Sequence, residues 1–236
     1  MANYTPPKNC TAKCDMLIQN QSGIVTNEKD VGKSTATYMV KVGRPLTLGE
    51  VNIAKRLFKG TINYSEVRIV EAVHRSQEST DRPAVIADSK LPYIYYPPKN
   101  KAVAGSVHYY QDDFSNPSGN RNQIRGAILL FVHEMTHIWQ HTLGAYILAD
   151  KSMRTKNDIE SGGYYIPWKE ESKAKHFSLY NHEQQAEIVA GYHDITVNTY
   201  ISHDPKRITY ILQAIQPFLS NPADKLLMPC NAKDRR

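Results

Sequence analysis

The chain has 236 residues, of which 41% are apolar and 22% charged, and no stretch approaches the roughly 18 consecutive apolar residues of a membrane-spanning helix. These values predict one globular domain and exclude fibrous and membrane-spanning proteins. The 29 Lys and Arg residues exceed the 23 Asp and Glu residues, giving a net charge of +6, but they form no basic run or recognised nucleic-acid motif, so we expect no nucleic-acid partner.

The N-terminal residues 1–36 are polar and rich in Asn, Lys, Thr and Pro. They predict an arm that packs on the domain or is partly disordered, followed by the main domain at residues 37–236. The first residues have no apolar core of a secretory signal. Cys10, Cys14 and Cys230 are too few for a four-cysteine zinc site, and whether two of them form a disulfide stays open.

The first predicted helix begins at Thr47, because Thr47 and Glu50 have the spacing of a capping box. Apolar residues at helical spacing continue to Phe58, and Gly60 favours the end of the helix. Short runs rich in β-branched and aromatic residues then predict strands at 67–70, 84–87, 93–96 and 102–110.

Three long helices are predicted in the second half of the chain. The first spans 122–143 and is apolar over most of its circumference, and the second spans 181–198. The third begins at Asp204 and Pro205, an N-cap followed by proline at the first helical position, and ends near Pro217. Because strands precede the long helices, we predict an α+β domain with a small mixed sheet.

The chemically informative motif lies in the first long helix, as His133-Glu134-Met135-Thr136-His137. Side chains four residues apart share a helix face, so both imidazoles can bind one ion. The motif therefore predicts metal-assisted hydrolysis, with His133 and His137 as ligands and Glu134 as the base that accepts a proton from water. Zn²⁺ is the default ion for these ligands, and a pair of hydrogen-bonded core histidines is the alternative.

A third ligand is needed for this site. Leu143 stands where the metzincin arrangement requires histidine, which excludes that class. Glu183 and Glu187 share one face of the helix at 181–198, so we predict Glu183 as the third ligand. Glu187 would then accept the free ring N–H of a histidine ligand, which is the gluzincin arrangement. A solvated acidic helix face is the alternative.

Two further histidines compete for a place near the ion. His182 is a rival ligand, although it points nearly a quarter-turn away from Glu183. His141 follows His137 by one turn, which is about 6 Å along the helix, so we expect it in the second shell or at the rim of the site.

A hydrogen-bond donor beside the metal is also expected, because it would stabilise the charge of the transition state. Tyr192 and His193 are the leading candidates, and the other candidates are His176, Tyr164 and Tyr165.

The predicted strand at 102–110 could pair with an extended peptide substrate at its edge. With the loop at 150–178, which is rich in Gly, Tyr and charge, it would form the roof of a cleft whose floor is the pair of ligand-bearing helices.

Residues 133–140, His-Glu-Met-Thr-His-Ile-Trp-Gln, resemble the signature of zincin-like domains associated with bacterial type VI secretion. Such domains occur as C-terminal extensions of VgrG-type spike proteins and as separate Vgr- or Rhs-related effectors. The resemblance covers roughly residues 44–190, and four further segments share it: 45–50, 62–69, 110–114 and 183–187.

The resemblance implies a gluzincin-type, zincin-like metallopeptidase that acts as an antibacterial toxin in the periplasm of a target cell. It implies Zn²⁺ held by His133, His137 and Glu183, with Glu134 as general base. It also implies a spike protein and a cognate immunity protein as partners. Export by the secretion machine from the producer's cytoplasm would account for the missing signal peptide.

The substrate stays open at this level. A peptide bond in a protein and a bond in a peptidoglycan stem peptide both suit metal-assisted hydrolysis. A non-catalytic binding or adaptor module stabilised by zinc is the alternative from a different class, and it would have a closed site with four protein ligands.

Overall fold

The computed structural model describes residues 43–72, 84–88, 91–101, 109–144, 163–169, 173–198 and 203–229. The predicted N-terminal arm, the three cysteines and most of the predicted strand at 102–110 and loop at 150–178 lie outside these ranges. Tyr109 and Tyr110, at the end of that predicted strand, are described and are not part of a strand.

The described strands form one four-stranded mixed sheet, with spatial order β1-β2-β4-β3. Strand β2 runs parallel to β4, whereas the β1–β2 and β3–β4 pairs are antiparallel. The strands are β1 (Arg44–Pro45), β2 (Arg68–Glu71), β3 (Ala84–Asp88) and β4 (Leu91–Tyr96). The predicted α+β class with a small mixed sheet is confirmed.

Four α-helices accompany the sheet in the described part of the chain: α1 (Leu48–Phe58), α2 (Arg121–Thr142), α3 (His182–Val197) and α4 (Pro205–Ser220). The predicted helices at 122–143 and 181–198 match α2 and α3 to within about one residue at each end. None of the four has both the length and the apolar character needed to cross a membrane.

The predicted end of α4 near Pro217 is wrong in detail. Helix α4 continues past Pro217 to Ser220, because a proline near the end of a helix removes only one N–H, and the burial of Phe218 holds the next turn in place. The predicted end of α1 is confirmed, because the helix ends at Phe58 and is followed by Lys59, which has a positive φ of 52°, and Gly60. The Lys59 ammonium donates to the carbonyl of Leu219, which ties the end of α1 to the end of α4.

The capping box predicted for α1 forms and joins a larger polar cluster. The Glu50 carboxylate is fully buried and accepts from the backbone N–H of Thr47 at 2.8 Å. It also accepts two hydrogen bonds from Arg44, at 2.7 and 2.8 Å, and one from the backbone N–H of Phe114 at 2.8 Å. This carboxylate therefore fixes α1 against the segment that leads into α2.

The core is centred on Trp139 of α2, which is fully buried. Its indole packs against Phe58, Phe177 and Phe218, at ring-centroid distances of 6.5, 6.1 and 5.0 Å. The indole N–H donates to the carbonyl of Pro222 at 2.7 Å, so this polar atom is satisfied inside the core. These contacts hold the apolar side of α2 and leave its opposite side to face α3.

Helices α2 and α3 pair in antiparallel fashion and are joined near one end by an ion pair. Arg125 of α2 donates through Nε to Asp194 of α3 at 2.7 Å and through Nη2 to the second carboxylate oxygen. Asn198 adds a hydrogen bond at 2.8 Å. Burial alone would raise the pKa of Asp194, but the hydrogen bonds from Arg125 and Asn198 lower it below its ordinary value.

We expect Asp194→Asn to lower the free energy of unfolding by about 3 kcal/mol at pH 7, because it leaves Arg125 without its charge partner. A carboxylate whose folded-state pKa is lowered stabilises the protein above its unfolded pKa of about 3.9 and loses that contribution as the pH falls through its folded pKa. The difference between wild type and variant should therefore shrink at pH 3.

Urea unfolding at pH 7 and pH 3 measures both effects. Asp112→Asn, which changes an exposed carboxylate, is the matched control and should alter stability by less than about 0.5 kcal/mol. Equal stability of Asp194→Asn and wild type at pH 7 would show that the ion pair does not hold the two helices.

Candidate metal centre

Helices α2 and α3 bring the three predicted ligands together. The Nε2 atoms of His133 and His137 are 3.2 Å apart, and each lies 3.2 Å from Oε2 of Glu183. All three side chains are buried. They form a group of metal-ligating residues whose ligand atoms lie within 4.8 Å of one another.

The geometry of this group fits a tetrahedral metal ion. Zinc bonds to nitrogen and oxygen of about 2.0–2.2 Å place two tetrahedral ligand atoms about 3.3 Å apart. The three ligand atoms form a triangle with sides of 3.2 Å, close to that spacing. In the described part of the chain the group has three members, which is the number of protein ligands in a catalytic zinc site.

A chain of hydrogen bonds behind the site begins at Gln185 of α3. Its amide nitrogen donates to two backbone carbonyls, those of Phe177 at 3.0 Å and Leu227 at 2.7 Å. Carbonyls can only accept, so the orientation of the Gln185 amide is fixed and its oxygen must accept. That oxygen accepts from the amide nitrogen of Gln140 of α2, at 3.0 Å.

The orientation of the Gln140 amide and the proton position on His137 follow from the same rule. The Gln140 amide nitrogen also donates to the carbonyl of His182 at 3.0 Å, so its oxygen faces Nδ1 of His137 at 2.8 Å as an acceptor. His137 must therefore carry a proton on Nδ1, and in the neutral ring Nε2 presents a lone pair. This lone pair points at Glu183, which is also an acceptor.

His133 is held in the corresponding way by Glu187. Its Nδ1 lies 3.1 Å from the Glu187 carboxylate, which sequence analysis named as a partner for a ligand histidine. Burial lowers the pKa of His133, but the hydrogen bonds to Glu183 and Glu187 outweigh burial and raise it to about 10. A positive charge is therefore strongly favoured at this point, whether a proton on His133 or a bound cation supplies it.

Glu134, the predicted base, follows His133 directly and is 5% exposed. Its negative charge contributes to the raised pKa of His133. It also acts on the fully buried hydroxyl of Tyr96 at the end of β4, whose pKa is raised first by burial and then by the charges of Glu134 and Glu50. Glu134 therefore lies at the junction between the histidine cluster and the sheet.

The leading transition-state candidates, Tyr192 and His193, lie further along α3 than Glu183, and their role stays a prediction. Tyr192 and His193 follow Glu183 by nine and ten residues on α3, which is about 13 to 15 Å along the helix axis. His193 is buried beside Asp194, and burial lowers its pKa.

Three further candidate histidines do not belong to the ligand cluster either. His141 is partly exposed on the next turn of α2, and burial lowers its pKa. His176 caps the short 3₁₀ helix at residues 177–179, and His182 contributes its backbone carbonyl to Gln140.

Tyr164, in contrast, stacks on His133 with ring centroids 6.0 Å apart. Tyr165 beside it is 52% exposed.

Sequence reasoning missed Gln140 and Gln185 as parts of the site. A signal was present, because an amide side chain next to Trp139 in an apolar helix must find buried partners. The partner itself could not be named, since Gln140 and Gln185 are 45 residues apart.

The chain is homologous to a segment of a type VI secretion protein. It is 32% identical over 162 residues to the type VI secretion system spike protein VgrG2b of Pseudomonas aeruginosa. The match takes in 69% of this chain and 14% of that protein, so the chain spans about a seventh of its relative. No family model matches.

A solved structure, the effector domain of Pseudomonas aeruginosa VgrG2b, is similar with a TM-score of 0.47 and 23% identity. The similarity covers 89% of this chain and 94% of that one.

We expect Gln140→Leu to weaken zinc binding by about 10- to 100-fold, because His137 loses the acceptor that fixes its ring and tautomer. Competition with a chromophoric chelator measures the affinity, and circular dichroism confirms that the variant is folded. Gln216→Leu, at an exposed position of α4, is the matched control and should bind zinc as wild type does. A folded Gln140→Leu variant with unchanged affinity would show that Gln140 does not orient the ligand.

Proposed function

We propose that this chain is a zinc-dependent metallopeptidase domain of a type VI secretion effector, with a zincin-like fold of the gluzincin type. The observation that carries the proposal is the triangle of ligand atoms from His133, His137 and Glu183, next to the buried Glu134. The homology to the VgrG2b spike protein supports the effector part of the proposal.

The positions of these groups indicate the role of each in catalysis. A bound Zn²⁺ would supply Lewis acidity towards water and the scissile carbonyl. Glu134 accepts the proton that the attacking water gives up and delivers it to the leaving amine. Glu187 and Gln140 keep the two imidazoles in place during this exchange, since each accepts the Nδ1–H of one ring.

The proposed setting is interbacterial. Because the relative is a spike protein of the type VI machine, we infer that this machine exports the chain in association with its spike. Peptide-bond hydrolysis in the periplasm of a target cell would make the chain toxic there, and a producing bacterium would need an immunity protein.

A non-catalytic role for the metal is the principal alternative. Structural zinc sites are closed by four protein ligands, whereas catalytic sites keep one position open. The described group of three ligands favours a catalytic site.

We expect Glu134→Ala to abolish toxicity in bacteria that express the chain with a periplasmic export signal. Loss of the base should lower peptidase activity by about 10²- to 10⁴-fold, while the three ligands still bind zinc. Growth curves and cleavage of a denatured protein substrate measure the two effects. Glu66→Ala, which changes an exposed glutamate, is the control. Full toxicity of Glu134→Ala would contradict the catalytic role.

Elemental analysis should find about one zinc ion per wild-type chain and per Glu134→Ala chain, and none in His137→Ala, because two protein ligands hold zinc poorly. Digestion of denatured protein and of purified peptidoglycan sacculi, run in parallel, separates the two substrate classes. Freshly purified wild type without bound metal would contradict the proposal.

A further inference from the structure

Two of the strongly exposed large apolar side chains among the described residues are neighbours, Tyr164 (51% exposed) and Tyr165 (52%). Tyr164 stacks on the ring of His133, one of the three candidate ligands. Exposed aromatic residues that adjoin a buried polar site commonly contact a ligand. We propose that Tyr164 is a substrate-contacting residue that binds a large apolar or aromatic side chain next to the scissile bond of a polypeptide, an inference that rests on the proposed function.

The ring of Tyr164 is supported from one side. Its plane is inclined by 30° to the imidazole of His133, with the ring centroids 6.0 Å apart. His133 is itself held by Glu183 and Glu187, so the surface beneath Tyr164 is fixed. Half of the tyrosine side chain remains exposed and can be covered by a bound side chain.

The backbone on both sides of Tyr164 is attached to the first turn of α3. The carbonyl of Gly163 accepts from the Asn181 amide at 2.9 Å, and the carbonyl of Tyr165 accepts from the Gln184 amide at 2.7 Å. Asn181 and Gln184 also form the capping box of α3, the turn that carries Glu183. Tyr164 therefore has a defined position relative to the metal ligands.

The residue type at Gly163 favours this arrangement. Its φ of +56° lies in the left-handed region, which glycine adopts without strain. Gly163, whose carbonyl accepts from Asn181 of the capping box, directly precedes Tyr164 and Tyr165. The aromatic ring is thus presented by a constrained turn, so little conformational freedom is lost when a ligand binds to it.

The exposed ring of Tyr164, here called the Tyr164 platform, favours one class of substrate over another. An aromatic ring gains most from contact with another large apolar or aromatic side chain. Peptidoglycan stem peptides carry small or charged side chains, whereas unfolded proteins offer many large apolar ones. The Tyr164 platform therefore favours a polypeptide substrate over a cell-wall peptide.

The test uses two metal-chelating probes that differ only in their side chain, N-acetylglycine hydroxamate and N-acetylphenylalanine hydroxamate. Calorimetric titration of the zinc-loaded full chain measures binding without turnover. We expect the phenylalanine probe to bind about tenfold more tightly than the glycine probe. Tyr164→Ala should abolish this preference, and Tyr164→Phe should retain it.

Val197→Ala is the matched control, because it removes an exposed apolar side chain about 21 Å along α3 from Glu183. Equal binding of the two probes to wild type, or a preference that survives in Tyr164→Ala, would overturn the inference while leaving the metal centre intact. Failure of both probes to bind the wild-type chain would contradict the metal-centred function and this inference with it.

Discussion

Three acceptor atoms, Nε2 of His133, Nε2 of His137 and Oε2 of Glu183, lie 3.2 Å from one another. The rest of the described structure depends on holding these atoms together. Lone pairs of two imidazoles and a carboxylate repel one another unless a cation or a proton lies between them. Each group is therefore held from behind, His137 by Gln140 and His133 by Glu187, while Glu183 lies in the first turn of a capped helix. The supports of both imidazoles require α2 and α3 to stay paired, because Glu187 and Gln185 belong to α3.

Contacts on both sides of α2 stabilise its pairing with α3. On one side, Trp139 and the aromatic rings around it bury apolar surface and resist displacement of the helix. On the other side, polar residues meet α3, and the ion pair between Arg125 and Asp194 closes the far end. Gly191 completes the packing behind α3, since a β-carbon there would lie 2.8 Å from Ile211 of α4.

Sequence reasoning succeeded where the information is local. The His133–His137 pair and the Glu183–Glu187 pair each follow from a spacing of four on one helix, and caps such as Thr47 mark helix starts directly. It failed where distance along the chain matters. The partnership of Gln140 with Gln185 and the stacking of Tyr164 on His133 depend on how separate segments pack, which no local pattern encodes.

The carbonyl of Leu227 has a role that its place near the end of the described chain conceals. It fixes the Gln185 amide, and through Gln140 it reaches a ring 90 positions earlier in the sequence, while Pro222 receives the indole N–H of Trp139. The histidine motif is therefore not a portable module. A fragment cut soon after Glu187 would contain every proposed ligand yet lack one of the two carbonyls that orient the Gln185 amide behind His137. Grafting this site onto another scaffold would require the C-terminal segment as well.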